Sequence, residues 1–554
     1  MDIDAVRSRA QRWLADDPDP VCQAELRGVI DAAADGLDGA AEELADRMAG
    51  PLTFGTAGLR GPMRAGPNGM NLAVVRAAAA GLLAWLAPRD GDRPLVIGYD
   101  GRRDSKRFAE ESARVATGAG RRALVLPRPL PTPVLAHAVL ELDACAGVMV
   151  TASHNPPQDN GYKVYLGRGL GGVGGDGAQL VPPADAEIEA AIRSVGPLGQ
   201  VPLGDPGEVL GESIVESYLD GAVGVLDPEA VNPDHRGELL VAYTAMHGVG
   251  TGVVAEVFTR AGFGPPSVVP NQAAPDPAFP TVAFPNPEEP GAMDLVLELA
   301  SRIEADIAIA NDPDADRCAV AVPTVDGWRM LRGDEVGVLL ADHLLRRGIG
   351  GMYATTIVSS QLVGALCRSR GVDYAETLTG FKWIVRAGAD LGYGYEEALG
   401  YCVAPQFVRD KDGITAALLV AELAAGLKAE LRTLPDRLDE IAAEFGVYAT
   451  DQLSARVEDL SAIATAMARL RSHPPSALLD EPVTSFEDLL PSSDVVIMRT
   501  ASARVVVRPS GTEPKLKAYL EVVEPADGGV PAARSRASAS LAALRTEVQS
   551  ALGW

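Results

Sequence analysis

Four short stretches of this chain carry residue types whose spacing could do chemistry. In AIANDPDADRCAV (308–320), Asp312, Asp314 and Asp316 alternate directly after an apolar run. In an extended loop three such carboxylates converge, a set of hard oxygen donors suited to Mg²⁺ or a similar cation. Without a cation, close carboxylates repel and raise one another's pKa. In VMVTASHNPPQDNGYKVY (148–165), Ser153 follows a β-branched run, flanked by His154 and Asn155, with Lys163 ten residues on. A serine at a strand end beside a basic side chain could be a covalent nucleophile; the same serine could simply cap a turn. In GYGYEEALGYCVAPQFVRDKDG (392–413), Glu396 and Glu397 could accept bonds from neighbouring hydroxyls of a sugar, or form a solvated face. In RVVVRPSGTEPKLKAYLE (504–521), Arg508, Ser510, Gly511 and Thr512 combine a guanidinium, hydroxyls and loop N–H groups into a phosphate cradle, with a charged hairpin turn as the plain alternative.

These loops need elements to aim them. The pattern predicts a helix over 71–87, a strand at 95–100, a helix near 105–118, a strand at 123–126, a helix near 132–141 and a strand at 146–150. The alternation recurs near 238–310 and again near 333–420, so three βαβ-type blocks are expected, with ligands beyond the carboxyl ends of their strands. The last hundred residues differ: VVIM, RVVV and LKAYLEV read as short alternating strands before an Ala-rich helix near 531–551, an α+β pattern. The expected division is 1–208, 209–325, 326–446 and 447–554. Residues 195–210 read as a linker, and 265–290 as a long loop. Gly167-Arg-Gly-Leu-Gly-Gly172 matches G-x-G-x-x-G but opens no helix, so it reads as a loop rather than a dinucleotide fingerprint; no Walker motif occurs.

Composition narrows the partners. The 554 residues include 75 Asp and Glu against 49 Lys and Arg, a formal net charge of −26, which disfavours nucleic acid and anionic membranes but not small anions held in a locally positive site. Arg504, Arg508, Lys515 and Lys517 against Glu513, and Arg102, Arg103, Lys106 and Arg107 against Asp100 and Asp104, are basic islands on that acidic background. Five scattered cysteines without C-x-x-C exclude a disulfide framework and a structural zinc site. The start lacks an apolar signal-like core and no stretch is long enough to span a bilayer, so a cytoplasmic protein is expected. Nothing in the pattern speaks to oligomeric state.

Taken together and in this order, the four loops resemble those of the α-D-phosphohexomutase superfamily, the phosphoglucomutases and phosphomannomutases. Thr151-Ala-Ser-His-Asn-Pro156 resembles the family's phosphoserine loop, Asn311-Asp-Pro-Asp-Ala-Asp-Arg317 its Mg²⁺ loop, Glu396-Glu-Ala-Leu-Gly400 its sugar loop and Arg508-Pro-Ser-Gly-Thr512 its phosphate loop. FGTAGLRG (54–61) and TAMHGVG (244–250) also match, while ETLTGFKW (376–383) and RDKDG (409–413) are similar to the branch of phosphopentomutases and bacterial phosphoglucomutases. The resemblance implies an α/β fold of three similar mixed α/β domains around a central cleft, plus a C-terminal α+β domain like the TATA-box-binding protein.

It further implies a phosphoserine at Ser153, Mg²⁺ held by Asp312, Asp314, Asp316 and a phosphoserine oxygen, and a sugar 1,6-bisphosphate as intermediate and activator. Lys163, Arg60 and Lys411 are the candidates for proton transfer, Lys163 on the expectation that desolvation beside cations lowers its pKa. Glu396, Glu397, Thr379, Gly380, Arg508, Ser510, Gly511, Thr512, Lys515, Arg317 and His154 are expected around the substrate, although His154 reads first as a side chain bonding the loop backbone. His247 could be structural or functional. Two departures stand out: Ala398 where many relatives place Ser, and Pro313 and Ala315 where glycines are frequent. The implied activity is a phosphosugar mutase acting between the 1-position and terminal hydroxyl of an aldose phosphate, glucose before mannose. The alternatives are a phosphopentomutase, a glucose-1,6-bisphosphate synthase and, in another class, a silent sugar-phosphate sensor.

Overall fold

A computed structural model describes residues 2–53, 58–231, 233–456, 460–510 and 515–553. They form two compact units: residues 1–330 with 400–426, and residues 331–399 with 427–554.

The first unit holds two mixed sheets. One has six strands in the order Leu59–Pro62, Asp159–Leu166, Ala146–Val150, Leu95–Tyr99, Ala123–Val125 and Glu208–Val209. Leu95–Tyr99 and Ala146–Val150 are buried along their whole length and lie parallel, as their unbroken apolar runs require. Asp159–Leu166 returns antiparallel to Ala146–Val150, pairing Lys163 with Met149, and Leu59–Pro62 adds antiparallel to it, pairing Arg60 with Gly161. A Cβ on Gly161 would meet the carbonyls of Thr151 and Leu59 at 2.6 and 2.7 Å, so only glycine lets these three segments close up. Helices Leu72–Leu86, Ser105–Gly118 and Thr132–Glu141 fall where the hydrophobic pattern put them. The segment read as a linker does more than connect: its Glu208–Val209 extends the sheet edge beside Ala123–Val125. The second sheet has the order Gly327–Met330, Ala319–Thr324, Ile307–Ala310, Val241–Thr244 and Ser267–Val268.

Ahead of the first sheet stand three helices that the apolar pattern did not announce, Ile3–Asp16, Pro20–Ala34 and Ala40–Arg47. Asp2 and Asp19 cap the first two through Ala5 N and Val21 N, and Val6, Ala10, Leu26, Ile30 and Leu44 bury a small core of their own with Ala65. The five cysteines are all buried and free. Among the described residues no helix is long and apolar enough to cross a membrane.

In the second unit the strands Met352–Thr356, Tyr374–Thr377 and Leu391–Glu396 are parallel, with Met352–Thr356 in the middle. The C-terminal sheet is antiparallel throughout, in the order Val447–Arg456, Lys515–Glu524, Ala503–Pro509, Val496–Arg499, Ser485–Asp488, and the helix Val530–Leu552 packs on it. The change from βαβ blocks to α+β is thus present where the sequence pattern changes.

Candidate active site

Two strand ends of the first unit meet in one buried cluster. Ser153 lies three residues past Ala146–Val150, and Asp312 two residues past Ile307–Ala310. Ser153 Oγ donates to Asp312 Oδ2 at 2.7 Å, across 159 positions of chain. Lys163 Nζ donates to Asp314 Oδ2 at 2.7 Å and to Asp316 Oδ2 at 2.8 Å, and Lys411 Nζ lies 3.4 Å from Asp316 Oδ2. Ser153, Lys163 and the three aspartates are all within 2% of complete burial.

The aspartate loop is held at several points. Asn311 accepts a bond from Tyr243 OH and donates to the Arg317 carbonyl, pinning the loop's two ends together. Ala315 sits in the left-handed region at φ 54°, reversing the chain so that Asp314 and Asp316 face the same partner. Val249 N donates to the Pro313 carbonyl, and a Cβ on Gly248 would come within 2.3 Å of Pro313 Cα, which explains the first glycine of TAMHGVG. Thr132 supplies two more bonds to Asp314, from its hydroxyl to Oδ2 and from its N–H to the carbonyl. No feature of the PLPTP turn singled out Thr132 beforehand; its role depends on a contact 182 residues away.

The electrostatics follow from burial and from who pairs with whom. Burial and the charges of Asp314 and Asp316 push the Asp312 carboxyl well above the usual range. Burial acts the same way on Asp314 and Asp316, but Asp314 is opposed by Lys163 and Thr132, and Asp316 by Lys163, Lys411 and Arg317, so both end below it. The expectation for Lys163 is corrected: burial pulls its pKa down, yet Asp314 and Asp316 outweigh that effect and the net shift is upward. His154 is also corrected. Its Nδ1 lies 3.2 Å from Ser153 Oγ rather than on the loop backbone, and burial with Arg317 and Arg60 nearby pushes the imidazole pKa well below its ordinary value.

The cluster fits a hard divalent cation. One carboxylate oxygen from each of Asp312, Asp314 and Asp316 lies within 4.8 Å of the others. Among the described residues no hydrogen-bond donor reaches the buried Asp314 Oδ1 and Asp316 Oδ1, a costly state for a carboxylate that a cation would relieve.

The remaining candidates divide between the units. Arg60 donates to Asn155 Oδ1 at 3.0 Å, and Arg317 reaches Glu288 at 3.4 Å while its N–H donates to Asp312. His247 bonds Thr281 at 2.8 Å. Lys411 is set between two anchored neighbours: Asp410 accepts from Tyr165 OH and Gln179, and Asp412 caps the helix Gly413–Ala429 while accepting from Tyr218 OH.

In the second unit, Glu397 Oε2 accepts from Thr356 Oγ1 and Ser359 Oγ, each at 3.1 Å. Glu396 ends the strand Leu391–Glu396, and Gly380, at φ 109°, opens the short helix Phe381–Ile384 with Thr379 before it. Arg508, Ser510 and Lys515 lie at the turn of the hairpin Ala503–Pro509 and Lys515–Glu524, where Ser510 N donates to the Lys515 carbonyl. Gly511 and Thr512, like 54–57 of the FGTAGLRG stretch, lie outside the described residues. The G-x-G-x-x-G stretch is a loop after Asp159–Leu166, as expected.

Comparison with known proteins agrees with this geometry. The four family profiles of phosphoglucomutase/phosphomannomutase match in order: α/β/α domain I over 51–197, domain II over 216–327, domain III over 332–445 and the C-terminal domain over 453–528. A Haemophilus influenzae protein described as a probable phosphomannomutase is 45% identical, covering 82% of this chain and 93% of its own. The mouse phosphopentomutase is 33% identical, covering 93% of this chain and 90% of its own. Among solved structures, a Thermus thermophilus protein described as a putative phosphomannomutase superposes with a TM-score of 0.69 at 25% identity, over 88% of this chain and 98% of that one. The chain belongs to the phosphoglucomutase/phosphomannomutase family and is a phosphosugar mutase, an isomerase that moves a phosphoryl group within its substrate.

Proposed function

We propose that this mutase works through a phosphoryl group carried on Ser153 and interconverts an aldose 1-phosphate with its terminal phosphate, glucose phosphates first. The observation that carries the reading is Ser153 Oγ, buried and bonded to Asp312 at the edge of a three-carboxylate cluster. Ser153, Asp312, Asp314 and Asp316 would hold Mg²⁺. Bound there, the ion draws charge off the group being transferred.

The chain's own residues do the rest. Arg508, Ser510, Gly511, Thr512 and Lys515 anchor the phosphate already on the sugar, and Glu396 and Glu397 read its hydroxyls, with Thr379 and Gly380 beside them. The bond from phosphorus to Ser153 Oγ breaks as one forms to the sugar oxygen, whose proton passes to a base. Arg60 and Lys411 are the candidates around that transfer, Lys163 holds Asp314 and Asp316 in place beside it, and Arg317 and His154 border it. The product of this half is a sugar 1,6-bisphosphate, which returns its other phosphate to Ser153. We place these roles on segments 1–208, 209–325, 326–446 and 447–554 in turn.

A second reading, phosphopentomutase, is favoured by the mouse relative and by Ala398, which lacks the hydroxyl that many relatives present in the sugar loop. Assay of the purified protein with Mg²⁺ and catalytic bisphosphate on glucose 1-phosphate, mannose 1-phosphate and ribose 1-phosphate separates the two. Turnover of glucose 1-phosphate above the others supports the first reading, and preference for ribose 1-phosphate replaces it with the second. No isomer from any of the three overturns both.

A further inference from the structure

Arg102 lies in the basic stretch after the strand Leu95–Tyr99, yet it is only 5% exposed. Its side chain turns inward beneath the loop that carries Ser153. Nη2 donates to the carbonyls of Ser153 and Asn155, each at 2.6 Å, and Nη1 to those of Pro156 and Asp159 at 2.8 and 3.1 Å. One guanidinium thus gathers four carbonyls of a single seven-residue stretch. Asp100 Oδ2 backs it from 3.4 Å, and the ring of Phe279 lies 4.9 Å from its central carbon. Asp100 is itself fixed by bonds from Arg102 N and Ser105 Oγ.

The loop needs such a holder. Ser153 has φ 51°, a left-handed conformation that a side chain disfavours, and a bond from its own N–H to Thr151 Oγ1 constrains only one side of it. With the carbonyls of 153, 155, 156 and 159 turned toward one point, Ser153 Oγ meets Asp312. Arginine is the residue able to do this, because its planar fork presents five N–H donors; lysine offers three from a single atom.

We infer that Arg102 is a positioning residue for phosphoryl transfer: it fixes the reactive geometry of Ser153 by clamping the loop's carbonyls, without touching the sugar. This rests on Ser153 being the group that carries phosphate. The expected signature is a loss of kcat at constant KM, since a misaimed nucleophile slows chemistry while substrate contacts survive.

The test compares wild type, Arg102→Lys, Arg102→Ala and Arg121→Lys. Arg121 is a second buried arginine of the same domain that bonds backbone carbonyls, those of Arg93 and Asp90, away from the site. Arg102→Lys is expected to lower kcat about 100-fold with KM within about threefold, and to slow phosphate transfer from glucose 1,6-bisphosphate to Ser153 in parallel, read by intact mass. Low-millimolar guanidinium should restore Arg102→Ala about tenfold. Arg121→Lys should lose thermal stability but keep kcat. An active wild type beside an Arg102→Lys variant of unchanged kcat overturns the clamp, as does an equal kcat loss in Arg121→Lys. Should neither Arg102 variant fold, Asp100→Asn gives the reading: a kcat loss of about tenfold at constant KM supports the clamp, and unchanged kcat overturns it. A wild type that neither takes phosphate on Ser153 nor isomerises sugar phosphates fails the nucleophile reading instead, a distinct result.

Discussion

The cluster around Ser153 and the loop around Glu397 are both built at strand ends, but to different standards. In the first, Ser153, Lys163 and three aspartates are almost wholly excluded from water, and each charge meets a partner from a distant part of the chain. In the second, Glu396, Glu397 and Ala398 are only partly buried, and Glu397 accepts bonds from the hydroxyls of Thr356 and Ser359. The difference matches the two tasks proposed for these regions. Stabilising charge on a group in flight works best with dipoles and ions fixed beforehand in a dry site. Reading a sugar that must be accepted in two orientations works better with contacts that stay hydrated and individually modest.

That contrast can be broken. Its largest consequence is for Ser153→Ala, which should lose activity by at least about 10,000-fold and lose the added mass of one phosphate in the intact protein. Asp314→Asn should follow at about 100- to 1000-fold in kcat, with weakened Mg²⁺ binding by calorimetry and the fold retained by circular dichroism. Glu397→Gln should act mainly on KM, by about tenfold; a kcat loss equal to that of Asp314→Asn would show that the two regions share one task. Ala398→Ser should alter the ratio of kcat/KM between glucose and ribose 1-phosphates by about three- to tenfold, and an unmoved ratio would remove this position from sugar selection.

The smallest effect concerns pH. Burial pushes the Asp412 carboxyl from 3.8 up to about 6, against the bonds from Thr415 and Tyr218. Since the folded value lies above the unfolded one, the stability linked to its proton is fully present below about pH 4 and is lost as pH rises through about 6. Asp412→Asn, which keeps an oxygen for Ile414 N and Thr415 N, should flatten that part of the Tm profile by about a degree or two. An identical profile would show that the carboxyl does not titrate there.

Much of this was legible in the chain because it is local. Alternating apolar runs gave the strands Leu95–Tyr99, Ala146–Val150 and Ile307–Ala310, since a parallel strand buried on both faces must be apolar throughout. Asp312, Asp314 and Asp316 fall within five consecutive residues, so their convergence is visible in their spacing. The helices at 3–47 were missed because their apolar faces are short and interrupted by charge, and their core depends on Ala65 from beyond the last of them.

What the amino-acid sequence determined by itself is which residue types stand at strand ends, and hence the class of chemistry and the family. Tertiary structure alone decided that Lys163 neutralises Asp314 and Asp316 instead of standing ready as a low-pKa base, that Lys411 joins them, and that Arg102 reaches under the Ser153 loop. Each is a contact across 50 residues or more, and such contacts leave no periodic trace in the chain. They arise only when sheet register brings one side chain against another, which is also where burial and neighbouring charge set the electrostatics.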